Sequence, residues 1–341
     1  MNVFLKRNPI TYYGFIGYKN LGDEAIWQAT KNIFSPTQLH LFPETRFAFI
    51  NNLVKFKHKK IAILGGGTLI GDNSPTGRNL FRERYYLQAL NSEHSIAFGT
   101  GVGAIDLSKG NTWLMQWRPI LEQCSYIGLR GPLSVEVLAG VGIKSEVVGD
   151  PACSWVQNSE FYTPEEKRIG VCIGCTPRYF LRDKMKILGD VLCNKQKEGW
   201  SIDFFIINPE DFMLTEQFIT NNRLTHNEIH TIYENTQLYL DTVKHMKLFV
   251  GTRLHSVILA MCAGVPSLMI EYAPKNYEFM FSVGMEKYSL SMTEVTEKLL
   301  NEMLDSINDE SEIISERLVD VFNDYKKLQR RAARSIISAC L

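Results

Sequence analysis

Short runs of aliphatic and β-branched residues alternate along this chain with longer stretches whose apolar positions recur three and four residues apart. The first pattern predicts strands buried on both faces, the second predicts helices with one apolar stripe, and their alternation predicts an α/β protein built on parallel sheet. In the first half, Gly14-Phe15-Ile16-Gly17 reads as a strand end before a helix from Asp23 to about Asn32. Ile61-Ala62-Ile63-Leu64 runs into Gly65-Gly66-Gly67, and Ser95-Ile96-Ala97-Phe98 runs into Gly99-Thr100-Gly101. Tyr126-Ile127-Gly128-Leu129 leads to Arg130, and Ser134 to Leu138 forms a short helix ended by Gly140. Each strand thus ends in glycine or a polar turn on one sheet edge, the carboxyl edge where ligands of open parallel sheets collect.

A turn-rich segment from Asp150-Pro151 to Thr163-Pro164 separates this half from a second with the same layout. There the strands are Arg168–Ile173, Ile202–Ile207, Leu248–Val250 and Pro266–Ile270, with helices near Arg182–Cys193 and after Thr252. The expected division is a first domain at 1–155, a second at 156–290 and a helical tail at 291–341. In the tail, Ile314, Leu318, Val321, Tyr325, Leu328, Ala332 and Ile336 form one apolar stripe, as expected of a helix packed back on the body. Its basic end, Lys326-Lys327 and Arg330-Arg331, reads by default as a solvated charged face, with contact at a membrane surface as the alternative.

Composition narrows the function classes. Of 341 residues, 45% are hydrophobic and 22% charged, which is a folded globular composition. Lys plus Arg equals Asp plus Glu at 37 each, so no net field draws the chain to nucleic acid. The longest apolar tract, Leu254 to Ile270, is too short to span a bilayer and is interrupted by His255, Gly264 and Pro266. The amino-terminal stretch does not read as a signal peptide. Seven scattered cysteines form no disulfide framework and there is no Asn-x-Ser/Thr sequon, so a reducing cytoplasm is the expected compartment, peripheral contact at the inner membrane face being the alternative that the basic tail leaves open.

Gly251-Thr252-Arg253-Leu254-His255-Ser256 carries the most chemistry. It joins the strand Leu248-Phe249-Val250 to the helical run Val257–Met261, so a guanidinium and an imidazole stand in a first helical turn. The N–H groups of such a turn lack intrahelical partners and the dipole there is positive, which makes it an anion site with a titratable group inside. The alternative is that Arg253 pairs with a structural carboxylate. Other candidates are Asn20-Leu21-Gly22-Asp23-Glu24, with Asp23 as helix cap, and Gly65-Gly66-Gly67-Thr68 closing at Gly71-Asp72, where missing Cβ atoms let a ligand approach the backbone. Arg130 at a strand end offers a fork to a carboxylate or phosphate, and Tyr272-Ala273-Pro274-Lys275 brings an ammonium. Neither glycine run fits a P-loop or G-x-G-x-x-G. Cys172 and Cys175 form a lone C-x-x-C, and His226 and His230 lie four apart on an expected helix; both pairs read as structural.

Together these segments resemble the polysaccharide pyruvyl transferase family. The resemblance is carried by Asn20-Leu21-Gly22-Asp23-Glu24-Ala25, Leu64-Gly65-Gly66-Gly67, Leu129-Arg130-Gly131-Pro132-Leu133-Ser134, Val148-Gly149-Asp150-Pro151, Gly251-Thr252-Arg253-Leu254-His255 and Gly264-Val265-Pro266, in order over about residues 10 to 285. Ala273 stands where the family usually has an acidic residue. The resemblance implies two facing Rossmann-like domains, GT-B-like, with the site between them. It also implies phosphoenolpyruvate as co-substrate, a sugar or lipid-linked oligosaccharide as acceptor, and neither cofactor nor metal. The catalytic residues it implies are His255, Arg253 and Arg130. The expected donor-binding set is Arg130, Thr252, Arg253, Leu254, His255 and Lys275. Asn20, Asp23, Glu24, Gly65, Gly66, Gly67, Thr68 and Asp72 are expected on the acceptor side. Two rivals remain: a glycosyltransferase using a nucleotide sugar, against which Glu271 and Glu278 are one residue too close, and a non-catalytic glycan-assembly scaffold acting through the tail helix.

Overall fold

The apolar runs pair into two all-parallel sheets, one from each half of the chain. The computed structural model describes residues 10–42, 59–71, 80–90, 92–103, 112–157, 164, 166–174 and 181–341. By the density of internal packing the chain divides into two units: Met1–Phe15, Ile26–Pro151 and Tyr325–Leu341 form one, and Ile16–Ala25 with Ala152–Asp324 the other.

The first sheet is built from β1 (Ile10–Tyr13), β2 (Leu39–Leu41), β3 (Lys59–Leu64), β4 (Gly67–Ile70), β5 (Ser92–Val102), β6 (Cys124–Leu129) and β7 (Glu146–Val147), in the order β2-β1-β3-β5-β6-β7 with β4 beside β5. Helices α1 (Leu21–Ile33), α2 (Leu80–Leu90), α3 (Thr112–Leu121) and α4 (Pro132–Ala139) alternate with these strands. Trp117, Tyr85, Leu64, Ala97 and Leu129 are fully buried in the core of this unit. The Trp117 indole N–H donates to the Gly71 carbonyl at 3.1 Å, so its one polar atom is satisfied.

The second sheet contains β8 (Arg168–Cys172), β9 (Ser201–Ile206), β10 (Ile229–Thr231), β11 (Leu248–Gly251), β12 (Ser267–Glu271) and β13 (Ser289–Ser291) in the order β10-β9-β8-β11-β12-β13. This is the doubly wound order 3-2-1-4-5-6 of dinucleotide-binding folds. The interior strands are buried almost end to end, which explains their continuous rather than alternating hydrophobicity. Its helices are α5 (Arg182–Lys197), α6 (Phe212–Asn222), α7 (Thr236–Val243), α8 (Leu254–Cys262), α9 (Pro274–Ser282) and α10 (Glu297–Asp309). Helix α8 is apolar nearly all round and correspondingly buried along its length.

The tail is α11 (Ser311–Cys340), entered through a break after Asp309. Its apolar stripe packs down, with Ile314, Leu318, Ala332 and Ile336 buried. Ser315 donates to the Gly264 carbonyl in the second unit, and Gln329 to the Asp150 carbonyl in the first.

Four local readings differ from the sequence expectation. The first strand ends at Tyr13, and Gly14 to Gly17 is a turn, since Gly17 at φ 87° and Lys19 at φ 57° bend the chain left-handedly. Gly99-Thr100-Gly101 lies inside β5 rather than after it. Helix α1 starts at Leu21, so its cap is Asn20 and not Asp23: the Asn20 side chain accepts from Gly22 N at 3.1 Å. His226 and His230 share no helix. His230 sits in β10 and reaches the buried Asp203 of β9 at 3.1 Å, so an edge strand and a carboxylate set its position.

Candidate functional site

In the second sheet the strand order reverses between β8 and β11, and crevices of open α/β sheets form at that reversal, beyond the carboxyl ends. Those two ends are Cys172-Ile173-Gly174 and Gly251-Thr252-Arg253. Thr252 stitches them together. Its N–H donates to the Cys172 carbonyl at 3.0 Å, and its hydroxyl accepts from Gly174 N at 2.8 Å while lying 2.6 Å from the Gly174 carbonyl. Thr252 is 2% exposed, so its hydroxyl shapes the turn from inside.

Arg253 is the residue before α8, in extended conformation at φ −73° and ψ 123°. That conformation projects its side chain back over the strand ends, where it meets Asp211. The guanidinium Nε donates to Asp211 Oδ2 at 2.7 Å and one Nη to Oδ1 at 2.6 Å, a two-point fork. Asp211 follows β9 in the turn Asn208-Pro209-Glu210-Asp211 and its side chain is 3% exposed, against 18% for Arg253. Burial by itself would lower the guanidinium's hold on its proton, but the hydrogen bonds and charge of Asp211 outweigh it and keep Arg253 above its ordinary value. The remaining Nη1 has no hydrogen-bond partner among the described residues. Arg253 thus pairs with a structural carboxylate, the alternative weighed from the sequence, and one edge of the guanidinium stays outside the pair.

Gly174 makes this pair possible. A Cβ there would lie 2.6 Å from Arg253 Nε and 2.5 Å from Asp211 Cγ, distances that real side chains do not adopt. Behind the pair, burial pushes the Cys172 thiol up to about 12, so it stays protonated and unreactive at neutral pH. Cys175 lies outside the described residues.

His255 is half-buried in the first turn of α8, and its imidazole lies against Gly22. An added Cβ at Gly22 would stand 2.5 Å from His255 Cγ and 2.7 Å from its Cβ, and nearer still to Nδ1. The segment carrying Gly22 is tied to the second sheet by Leu21 N, which donates to the Ile207 carbonyl just past β9 at 3.0 Å. Glu24 folds back so that its Oε1 accepts from Gly17 N at 2.8 Å, closing the turn before α1. Asp23 lies between them in the first helical turn. Leu254 is buried and contributes packing, and the Lys275 ammonium sits over the Tyr272 ring at 5.2 Å. Asn20, Gly22, Thr252, Arg253 and His255 are thus assembled around the second sheet's switch point, with Asp211 and Gly174 added to what the sequence indicated.

Arg130 belongs to the first unit. It follows β6 directly, is fully buried, lies over Gly101, and has its Nη1 3.2 Å from the Thr68 hydroxyl. The space at Gly65 is taken by the Tyr12 ring and that at Gly66 by Ile26, with the Tyr12 hydroxyl accepting from Gly66 N at 3.2 Å. The missing Cβ atoms there admit the protein's own side chains. Gly67 turns the chain at φ 94° into β4, and Asp72 lies outside the described residues.

The two residues of this cluster absent from the sequence reading are Asp211 and Gly174. A carboxylate in a polar turn directly after a buried strand, Ile206-Ile207-Asn208-Pro209-Glu210-Asp211, was the available signal. Among the described residues no group of three or more His, Cys, Asp or Glu side chains gathers as metal ligands do.

Comparison with known proteins adds the following. The family model for polysaccharide pyruvyl transferase matches residues 20–274. Among curated proteins none matches the chain. Solved structures match along nearly the whole chain at low identity. A Listeria monocytogenes protein described as a UDP-N-acetylglucosamine 2-epimerase is 11% identical with a TM-score of 0.59, covering 97% of this chain and 95% of its own. The UDP-GlcNAc 2-epimerase of Neisseria meningitidis, solved with UDP-GlcNAc, is 12% identical with a TM-score of 0.55, covering 96% and 98%. A glycosyltransferase of kitacinnamycin is 10% identical with a TM-score of 0.52, covering 96% and 97%. At such identities the likeness is one of fold, and the fold is that of the GT-B epimerases and glycosyltransferases.

Proposed function

Because this chain belongs to the polysaccharide pyruvyl transferase family, we propose that it transfers the enolpyruvyl group of phosphoenolpyruvate to two hydroxyls of one sugar, forming a cyclic pyruvate ketal on a glycan or glycan precursor. The observation that carries the donor assignment is the fixed cation at the switch point: Arg253, locked by Asp211 with Nη1 left over, stands two residues from His255 at the start of α8. A small anion carrying both carboxylate and phosphate suits that combination of guanidinium, imidazole and helix N-terminus.

In this reading His255 delivers a proton to the methylene carbon of phosphoenolpyruvate, which leaves positive charge on the second carbon. A sugar hydroxyl adds there and loses its proton, the C–O bond to phosphate breaks, and a second hydroxyl of the same sugar closes the ring. One donor and one diol give one ketal and one phosphate, so no redox partner is needed. Asp23 and Glu24, the two carboxylates in the first turn of α1, are the candidates for the base that takes the hydroxyl proton.

The test is calorimetric titration with phosphoenolpyruvate of the wild type, His255→Gln and Arg253→Lys, with circular dichroism to confirm folding. Loss of one charge-assisted hydrogen bond is worth about 1.5–3 kcal/mol, so each variant weakens binding by roughly 10–150-fold. A folded wild type that takes no phosphoenolpyruvate, with or without sugar acceptors, but is stabilised against heat by a nucleoside diphosphate, would replace this donor by a nucleotide sugar.

A further inference from the structure

We infer that the exposed face of α11 between Lys326 and Arg334 is a docking surface for an anionic lipid bilayer. The last seventeen residues of the sequence hold five of its 37 cations and none of its 37 acids, so the rest of the chain carries a net charge of −5. Helical spacing gathers these cations on one side. Gln329, Ala332, Ala333 and Ile336 are buried, while Lys327, Arg330, Arg331 and Arg334 are exposed together with Ser335 and Ser338.

Two intramolecular explanations fail. The helix dipole is complemented only in the last turn, and the last turn of α11 holds no basic residue. Ion pairing does not account for the three arginines: Arg330, Arg331 and Arg334 make no salt bridge or hydrogen bond among the described residues. Instead the cations are one another's neighbours at three- and four-residue spacing, as Lys326 with Arg330, Lys327 with Arg330 and Arg331, and Arg334 with Arg330 and Arg331. Like charges at those spacings destabilise a helix. An external anionic surface offsets that repulsion.

The shape of the face selects the partner. It is one side of a helix, some 10 Å long from Lys327 to Arg334 at about 1.5 Å per residue, with short serines beside it. It presents no exposed aromatic ring on which bases would stack, and the acidic balance of the remaining chain opposes a polyanion that wraps it. A planar array of phosphate headgroups matches such a line of cations. Because the apolar stripe is already buried, the helix lies on the headgroups without inserting, and attachment is electrostatic.

The test uses the full chain, sedimented with vesicles of phosphatidylcholine alone or mixed equally with phosphatidylglycerol. Binding is expected to the mixture only, and to disappear at high salt. Each cation contributes about fivefold near such a surface, so the combined Arg330→Gln, Arg331→Gln and Arg334→Gln variant should lose roughly a hundredfold in partitioning. The matching triple lysine variant, which keeps the charge, should retain it. Equal sedimentation with both vesicle types, wild-type binding by a folded glutamine variant, or binding of an oligonucleotide in preference to the acidic vesicles would overturn the inference. None of these outcomes depends on the donor assignment.

Discussion

Gly22→Ala isolates the part of the site where the two halves of the sequence meet. Gly22 is the second residue of α1, and its backbone is helical, so by propensity alone alanine would stabilise the helix by about 0.8–1.0 kcal/mol. The new Cβ, however, would lie 2.5 Å from His255 Cγ and 2.7 Å from His255 Cβ. Carbon atoms rest at about 3.5–4.0 Å, so the imidazole must give way by roughly 1 Å. Because the crowded atoms are at the root of the side chain, a rotamer change at its tip does not relieve them. Overpacking of this kind costs about 1–3 kcal/mol, which the helix propensity partly offsets, and the net loss of stability should stay below about 2 kcal/mol. The functional loss should be larger, since a displaced His255 forfeits its contact to the donor and weakens phosphoenolpyruvate binding by roughly 10–150-fold. The assay is calorimetric titration alongside urea unfolding, with His255→Ala and the double variant completing the cycle. If Gly22→Ala weakens donor binding through His255, its effect on donor affinity should vanish in the His255→Ala background, where the imidazole is gone, whereas part of its stability cost should remain because the Cβ of residue 255, 2.7 Å from the added methyl, is still there. Unchanged donor affinity in a folded Gly22→Ala protein, or additive losses of donor affinity in the double variant, would refute the reasoning.

Three further outcomes are expected. Asp211→Ala strands the Arg253 cation and should cost about 3–5 kcal/mol in urea unfolding, much of it recovered when Arg253→Met is added, because an apolar side chain carries no desolvation cost. Burial of Asp203 works against its charge, but hydrogen bonds and charge from His230 and Arg168 prevail and hold its carboxyl below the usual range. Its contribution is then fully present above the unfolded value of about 3.9 and is lost as pH falls through the folded value. The stability gap between wild type and Asp203→Asn should accordingly be widest near neutrality and close below about pH 4. Finally, Cys172 at about 12, with Cys153 and Cys262 equally buried, should resist iodoacetamide in the native protein and react promptly in urea; rapid native labelling of Cys172 would contradict its burial.

What was legible in the sequence follows the range of the interactions involved. Leu248-Phe249-Val250 and Ile61-Ala62-Ile63-Leu64 are strands because their apolar side chains are adjacent in the chain and need burial on both faces. The turn residues Thr252 and Arg253 could be located for the same local reason. Misreadings arose where a local pattern was equally compatible with two states. Gly14 to Gly17 looks like a strand end, but Tyr13 is the last residue whose backbone pairs, with Leu64 of β3. His226 and His230 have helical spacing, but His230 is claimed by a strand pairing with β9 and by Asp203. Gly65 and Gly66 were readable as positions without a Cβ. Whether a ligand or the protein's own Tyr12 and Ile26 fills that space is a matter of packing.

The sequence by itself determined an α/β protein with two successive parallel-sheet halves, a strand-to-helix turn at Thr252 to His255, and a tail helix with one apolar stripe. Those properties rest on neighbours within a few residues of one another. Only the tertiary structure decided that the second sheet runs β10-β9-β8-β11-β12-β13, and hence that its reversal falls between Cys172 and Gly251. It alone decided that Asp211, forty-two residues before Arg253, supplies the fork that fixes the guanidinium, and that Gly22 from the other half of the sequence lies under His255. Strand order and long-range close approach depend on which surfaces remain to be buried after each strand has formed. That outcome is settled by the packing of the whole unit, and no local run of residues encodes it.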